Sequence, residues 1–159
     1  MLDASFSDLN PIWAHTAAFG DLLRCRFPDP MDHAVRQLRI CAVSDIDTHR
    51  GAIFVELVPA IHEHEQAPEP GDISLEPMAQ HRGLTFRPRG LWLRPDIAER
   101  FDTAHQDFRL AAWRRSPIVD RLVGDELRAL EQVHARHLAL RAAHIADRRA
   151  RRAARRRAR

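Results

Sequence analysis

The residues with the clearest capacity for chemistry are the arginines of the last twelve positions, RRARRAARRRAR. This segment holds eight Arg and no carboxylate. A guanidinium group pairs with phosphate through two parallel hydrogen bonds and stays charged at physiological pH. If all eight reached phosphates, log K would fall with log salt at a slope of about −7, roughly a ten-thousandfold loss of affinity between 50 and 200 mM salt. The segment therefore predicts a phosphate-binding surface.

The predicted partner of this tail is nucleic acid, either DNA or RNA. No aromatic residue is interleaved with the arginines, so stacking on bases is excluded and contacts independent of sequence are expected. The alternative interpretation is that the tail is a run of solvated charges that binds no partner. Arg141, in the helix before the tail, is also predicted to bind nucleic acid. The residues predicted to bind nucleic acid are Arg141, Arg148, Arg149, Arg151, Arg152, Arg155, Arg156, Arg157 and Arg159.

A second cluster, the segment HEHE at positions 62–65, has the residue types of a metal site. Two histidines one residue apart point the same way on an extended chain, and a third ligand could arrive from a neighbouring segment. The predicted ligands are His62, His64 and His81. A divalent metal is thus the one cofactor that the sequence suggests, and a solvated acidic loop explains the same residues without a metal.

An acidic pair lies earlier in the chain. Asp45 or Asp47, followed by Glu56, bears a distant resemblance to the acidic pair of the restriction-like nucleases. In that family a basic residue stands two positions after the glutamate, where this chain has Val58. Aspartates of a turn and a solvent-facing glutamate of a strand are the structural alternative.

The composition excludes several enzyme classes. All 25 basic residues are Arg, and the 159-residue chain has no Lys and no Tyr. This removes the phosphate-loop lysine, the Schiff-base amine and the tyrosine nucleophile. The net charge of +3 is also unevenly divided. Positions 1–147 hold 17 Arg against 22 acidic residues, a charge of −5, whereas the last twelve carry +8. We expect the acidic body to meet an unidentified protein partner.

Cysteine usage and hydropathy point to a cytoplasmic protein. Cys25 and Cys41 are too few for a disulfide scaffold and lack the spacing of a zinc site. No stretch of eighteen apolar residues is present, which predicts no transmembrane helix and no membrane partner. The acidic N-terminus does not have the pattern of a secretory signal.

Local signals predict helices in both halves of the chain. Asn10 caps a first helix that ends at Pro28, and Asp29 caps a short second one. From Pro95 apolar residues recur at helical spacing, which predicts a third helix. Pro117 begins the fourth, which runs toward the C-terminus.

The middle of the chain predicts strands. Residues 38–43 and the later run AIFVELV alternate in polarity, which predicts an antiparallel hairpin joined across the segment DIDTHRG. Ile73–Leu75 and Leu84–Leu93 are weaker strand candidates. Residues 59–72 hold three prolines and are predicted as an exposed loop.

These signals together predict an α+β protein. A small antiparallel sheet of three to four strands would carry two N-terminal and two C-terminal helices, followed by a basic C-terminal helical extension. The apolar stripe of the last helix ends near residue 134. We therefore expect a single α+β domain over residues 1–133, with a protruding basic helix and Arg-rich tail over residues 134–159.

The predicted function is that of a non-catalytic accessory protein that binds nucleic acid through its tail by sequence-independent phosphate contacts. One alternative is a metal-dependent enzyme, a hydrolase or nuclease, that uses the His/Glu loop. Another is a protein–protein adaptor whose C-terminal helix pairs with a second copy to form a homodimer.

Overall fold

The structure is a computed structural model that describes residues 10–77, 87–110 and 115–157. Its main feature is a sheet of seven antiparallel strands that curls into a half-barrel, followed by one long C-terminal helix. The strands are β1 (Asp21–Pro28), β2 (Arg36–His49), β3 (Ala52–His62), β4 (Ile73–Leu75), β5 (Leu91–Leu93), β6 (Glu99–Asp102) and β7 (Ile118–Arg121). The helix α1 spans Gly124–Arg157, and two short 3₁₀ helices span Ile12–His15 and Pro95–Ile97.

The strand order in the sheet is β4-β5-β3-β2-β1-β7, and β6 pairs with β3. The long strand β3 organises this arrangement. Its first half, Phe54–Leu57, pairs with β6, and its last residues, Ala60–His62, pair with β5. Strand β2 lies along its other edge. All of these pairings are antiparallel, and a short connection joins β2 to β3.

The predicted hairpin is confirmed as β2–β3, with longer strands and a shorter turn than expected. His49 lies opposite Ala52, so the connection is only two residues long. Arg50 and Gly51 have φ angles of 51° and 82°. Two positive φ angles are typical of the tight hairpin turn whose twist matches that of the strands. The predicted strand at Ile73–Leu75 is also confirmed, as β4.

One face of the sheet is covered by the N-terminal segment and by the chain after β6. The alternating residues Leu23, Cys25 and Phe27 of β1 point to this face and are buried. Trp13 and Phe108 pack over them, with ring centroids 4.8 Å apart. Burial raises the pKa of the Cys25 thiol to about 12, so this thiol is a packing residue and not a nucleophile.

The opposite face packs against the first turns of α1. Leu22, Ala42 and Val58 are buried on this side of the sheet. Leu130 of α1 is 1% exposed, and Leu127 packs against the same cluster. Burying a leucine side chain contributes about 1.5–3 kcal/mol. This cluster therefore holds the start of the helix on the sheet.

The rest of α1 extends past the sheet. The helix has 34 residues and is about 51 Å long. Every residue from 142 to 156 is exposed. At 1.5 Å per residue this exposed length is about 22 Å. No helix within the described residues is long and apolar enough to cross a membrane. The predicted division of the chain at residues 133 and 134 stays a prediction.

The predicted α+β fold class is wrong, because the two predicted N-terminal helices are absent. After the 3₁₀ helix, β1 occupies the region, and Gly20, with a φ of 83°, interrupts any helix there. Asn10 does not cap a helix. Its amide donates to Gly51 O at 2.7 Å and accepts from Ile53 N at 2.9 Å. Asp29 accepts from two backbone N–H groups of a turn. Capping residues stabilise turns by the same hydrogen bonds, so the local signal was ambiguous.

The helix predicted from Pro95 is also wrong. Its first residues form a 3₁₀ helix, and the chain then continues as β6. The apolar residues that recur at helical spacing, Phe101 and Phe108, instead pack together in the core on one face of the sheet, with ring centroids 6.2 Å apart. The predicted fourth helix starts seven residues later than Pro117, at Gly124, because β7 comes first. Burial against the sheet outweighs helical periodicity in these segments.

Candidate nucleic-acid interface

Six arginines form one continuous surface of α1 where the helix is exposed. Successive residues of an α-helix are about 100° apart around its axis, and on that basis these six side chains lie within an arc of about 160°. All six are exposed. We call this surface the arginine face, and it consists of Arg148, Arg149, Arg151, Arg152, Arg155 and Arg156.

Alanine occupies the opposite side of this segment. Ala146, Ala150, Ala153 and Ala154 lie within an arc of about 100° that faces away from the arginines. Alanine has the highest helix propensity, so the segment is helical without burial of its side chains. The sole carboxylate of residues 142–159 is Asp147, which pairs with one arginine, Arg151, at 2.9 Å. The arginine face therefore carries a large uncompensated positive charge.

Arg141 lies on the same side of the helix but has a different role. Its Nη2 donates a hydrogen bond of 2.8 Å to Oε2 of Glu56 on β3. Arg141 and Arg148 are seven residues apart, so they lie within about 20° of each other around the axis. Leu130, which is buried against the sheet, lies on this side as well. The arginine face thus continues the side of α1 that packs against the sheet.

The residues around Glu56 form an acidic patch, which we define as Asp45, Asp47 and Glu56. Asp45 lies directly opposite Glu56 in the β2–β3 pairing. The register shifts between Val43 and Asp45, so Ser44 is the extra residue of a β-bulge. A bulge changes the side to which the following residues point. Here it turns both aspartates toward the face of the sheet that carries α1.

Two arginines border the acidic patch. Arg100 of β6 pairs with Asp47 at 2.7 Å, and its guanidinium lies 4.4 Å from the ring centroid of Phe54. Arg141 borders the patch on the helix side. A cavity of about 360 Å³ lies among these residues. The two arginines compensate two of the three carboxylates, so the acidic patch keeps an excess of one negative charge, and the largest excess of positive charge remains on the arginine face.

The hydrogen bonds at Glu56 change its titration. Burial raises the pKa of this carboxyl, but hydrogen bonds from Arg141 and Ser44 outweigh burial and hold the pKa below its ordinary value of 4.5. The same pairing with Glu56 raises the pKa of Arg141. Glu56 is therefore ionised at neutral pH, and Arg141 is engaged by a carboxylate of its own chain.

Of the other residues predicted to bind nucleic acid, Arg157 ends α1, and Arg159 lies outside the described residues. The six members of the arginine face and Arg141 are the predicted residues whose side chains the structure describes. It brings the six together on one surface and places Arg141 in an internal ion pair.

The predicted metal ligands are only partly described. His62 and His64 stack with ring centroids 4.6 Å apart, and His62 Nδ1 accepts a hydrogen bond from His64 N. His81 lies outside the described residues. Glu65 is engaged by Arg39, and Glu69 lies 3.1 Å from Arg94. Within the described residues no group of three or more His, Cys, Asp and Glu could hold a metal ion.

Three buried arginines act as internal ion-pair centres, a role that the sequence did not reveal. Arg39 holds Glu65 through two hydrogen bonds of 2.7 and 2.8 Å. Arg94 contacts Asp72 and the loop before it. Hydrophobic alternation gives no signal for a buried arginine, because a charged side chain is predicted to be exposed. The ion pairs become visible only where the strands bring the partners together.

The third centre, Arg87, joins the edge strand β7 to the start of α1. It pairs with Asp120 at 2.8 Å and with Glu126 at 2.9 Å. A cavity of about 600 Å³ lies beside it, and Ser74 of β4 lines the same space. Because Arg87 is the cation shared by both of these partly buried carboxylates, they are structural ion-pair partners in this cavity.

The arrangement of Asp45, Asp47 and Glu56 bears on the resemblance to the restriction-like nucleases. The acidic residues do lie together, but Glu56 is bonded to Arg141 and Asp47 to Arg100. Val58 is buried in the cluster under α1 and supplies no charge. Two of the three carboxylates are thus engaged in ion pairs with arginines of their own chain. No protein-family model matches the chain, and no curated protein or solved structure matches it.

Proposed function

We propose that this protein is a non-catalytic accessory protein that binds nucleic acid through its C-terminal helix. The observation that carries the proposal is the arginine face, with six exposed guanidinium groups on one side of a helix that extends past an acidic body. Phosphate contacts of this kind are independent of base sequence. The body, with a charge of −5 over residues 1–147, is then free to meet a protein partner.

The proposal predicts a steep dependence of binding on salt. If the six arginines of the face contact phosphates of a duplex, the slope of log K against log salt is about −5.4, or roughly a two-thousandfold loss of affinity from 50 to 200 mM salt. Repulsion within the face weakens the helix, since like charges at (i, i+4) are destabilising. Phosphate binding relieves this repulsion, so it is expected to raise the thermal stability of the helix that is already formed.

The test is a salt titration of binding with two matched double variants. R148Q/R152Q removes two charges from the arginine face and should reduce the slope by about 1.8. R128Q/R136Q removes two exposed charges from another side of α1 and should leave the slope unchanged. Glutamine has a helix propensity close to that of arginine, so both variants keep the helix. Equal effects of the two variants, or retained salt-sensitive binding after deletion of residues 148–159, would refute the proposal.

A cytoplasmic location follows from the same proposal, because the nucleic acid must be accessible. The two cysteines, both buried and free, support it, since reduced thiols are typical of that compartment. The test is fractionation of cells that express the full chain. Recovery of the protein outside the cytoplasm, with Cys25 and Cys41 oxidised, would contradict this assignment.

A second candidate function is that of an adaptor whose helix pairs with a second copy. Leu138 and Ile145, one heptad apart on α1, are 47% and 50% exposed. Apolar residues seven apart on one side of a helix are typical of helix pairing. Light scattering at high protein concentration separates the two functions. A dimeric mass that becomes monomeric in L138Q/I145Q supports the adaptor, and a monomeric mass at every concentration removes it.

A further inference from the structure

The arginine face has the dimensions of a particular nucleic-acid groove. We infer that α1 binds in the major groove of B-form duplex DNA, as a helix that is already formed before binding. The inference rests on the proposed function and names its partner. It follows from three features of the described residues, namely the width of the face, its length and its freedom from the sheet.

The width of the face matches a groove with two phosphate walls. Arg151 lies at one flank of the arc and Arg149 at the other, about 160° apart. An α-helix with its side chains is about 10–12 Å across, and the major groove of B-form DNA is about 12 Å wide. Arginines at both flanks therefore reach both walls at once, while Arg148 and Arg152 lie between them.

The length of the arginine face and its position on the helix allow α1 to enter the major groove. Arg148 and Arg156 are about 12 Å apart along the axis, a distance of three to four base pairs. Residues 142–156 are exposed throughout, so the sheet does not obstruct a duplex around the end of α1. The alanines opposite the arginines carry no charge and face away from the groove.

Other nucleic acids fit this surface less well. Duplex RNA has a deep and narrow major groove that excludes an α-helix. A single strand offers one line of phosphates, so half of the face would have no partner. Single-strand binding also draws on aromatic stacking, and residues 142–159 contain no Phe, Trp or Tyr. Duplex DNA is therefore the nucleic acid that the geometry favours.

The acidic patch confines the duplex to the exposed end of the helix. Arg141 lies on the same side of α1 as the arginine face, but it is paired with Glu56, and Asp45 and Asp47 lie beside it. A phosphate backbone moving along the helix toward Arg141 would meet these carboxylates. The expected footprint on the protein thus ends between Arg141 and Arg148.

The test compares three nucleic acids of one sequence with the full-length chain at fixed salt: duplex DNA, duplex RNA and single-stranded DNA. We expect duplex DNA to bind at least tenfold more tightly than either of the others. A DNA duplex with glucosylated hydroxymethylcytosine, which fills the major groove, should bind at least tenfold more weakly than the plain duplex. Equal affinity for all four would overturn the groove inference and leave the proposed function intact.

A variant that moves arginines to other positions without changing their number tests the geometry directly. The variant R148A/A150R/R155A/A154R keeps eight arginines but spreads them around the helix. Circular dichroism checks that its helical content is that of the parent chain. We expect its affinity for duplex DNA to fall at least tenfold. An unchanged affinity would overturn the inference, and the absence of salt-dependent binding by the parent chain to any nucleic acid would instead refute the proposed function.

Discussion

Arg141 and Glu56, which are 85 positions apart in the chain, form a 2.8 Å hydrogen-bonded ion pair between α1 and β3. The pair lies about three helical turns beyond Leu130, the residue of α1 that is buried in the cluster on the sheet. These two points set the rotation of α1 about its own axis. Since the arginine face continues the same side of the helix, the pair also sets the direction of that face relative to the body.

Removal of this pair should affect stability slightly and nucleic-acid binding hardly at all. Arg141 is 59% exposed, so R141Q should cost less than about 1 kcal/mol, as measured by urea denaturation. The slope of log K against log salt should stay unchanged, whereas R148Q should reduce it by about 0.9. If R141Q reduced the slope as much as R148Q does, Arg141 would be a phosphate contact, contrary to the ion pair described here.

The same pair predicts a pH dependence of stability. The pKa of Glu56 is lower in the folded chain than its ordinary value of 4.5, so its ionisation stabilises the fold above that value. This contribution is lost as the pH falls through the lowered pKa. The difference in free energy of unfolding between the parent chain and E56Q should thus be constant from pH 7 to about pH 5 and shrink at more acidic pH.

A double-mutant cycle checks the origin of that effect. In an R141Q background, E56Q should show a smaller pH-dependent difference, because Arg141 is the main side chain that lowers the pKa of Glu56. Denaturation of the four proteins between about pH 3 and pH 7 measures it. An E56Q effect of the same size and pH dependence in both backgrounds would show that another group lowers the pKa.

Buried and exposed arginines should differ sharply in their contribution to stability. Arg87 is 3% exposed and is the cation shared by Asp120 and Glu126. R87M leaves these carboxylates without their cation and should cost about 3–5 kcal/mol. The matched variant R100M breaks the exposed pair with Asp47 and should cost less than about 1 kcal/mol. Urea denaturation measures both, and similar losses would contradict the assignment of Arg87 as an ion-pair centre.

Gly20 should be far less tolerant of substitution than Gly71. Both have positive φ angles, 83° and 97°, but a Cβ at Gly20 would lie 2.6 Å from Cδ1 of Leu127, whereas a Cβ at Gly71 would meet open space. G71A should cost about 1–2 kcal/mol from backbone strain, and G20A at least about 1 kcal/mol more. The additional cost should shrink in an L127A background. Thermal denaturation tests this, and equal losses would exclude close packing of α1 at Gly20.

The β2–β3 hairpin was predictable from the amino-acid sequence, whereas the first strand, β1, was not. The β2–β3 hairpin has a long alternation and a tight turn, two local signals that agree, so it was predicted correctly. The first strand, β1, has Arg24 and Arg26 alternating with buried residues, but Asn10 and Pro11 together are typical of a helix start. Local capping chemistry and burial pointed to different structures there, and burial in the sheet prevailed.

The residues of the candidate site likewise include some that the sequence predicts and one whose role it does not predict. The arginines of positions 148–156 follow from composition, and their common side follows from helical periodicity once the segment is known to be helical. The role of Arg141 does not follow, because Glu56 is brought to it only by the place of β3 in the sheet and the packing of Leu130 against that sheet. A contact between residues 85 positions apart leaves no periodic signal in either segment.

The amino-acid sequence by itself determined the chemistry of this protein: arginine as the sole basic residue, an acidic body and a helix-forming tail of opposite charge. These are properties of side chains and local propensity, which need no distant partner. The tertiary structure alone decided that the body is a curled seven-stranded sheet, that Arg39, Arg87 and Arg94 are buried in ion pairs, and that Arg141 is bound by Glu56. Each depends on strand pairing between distant segments, in which the free energy of burial overrides local preference.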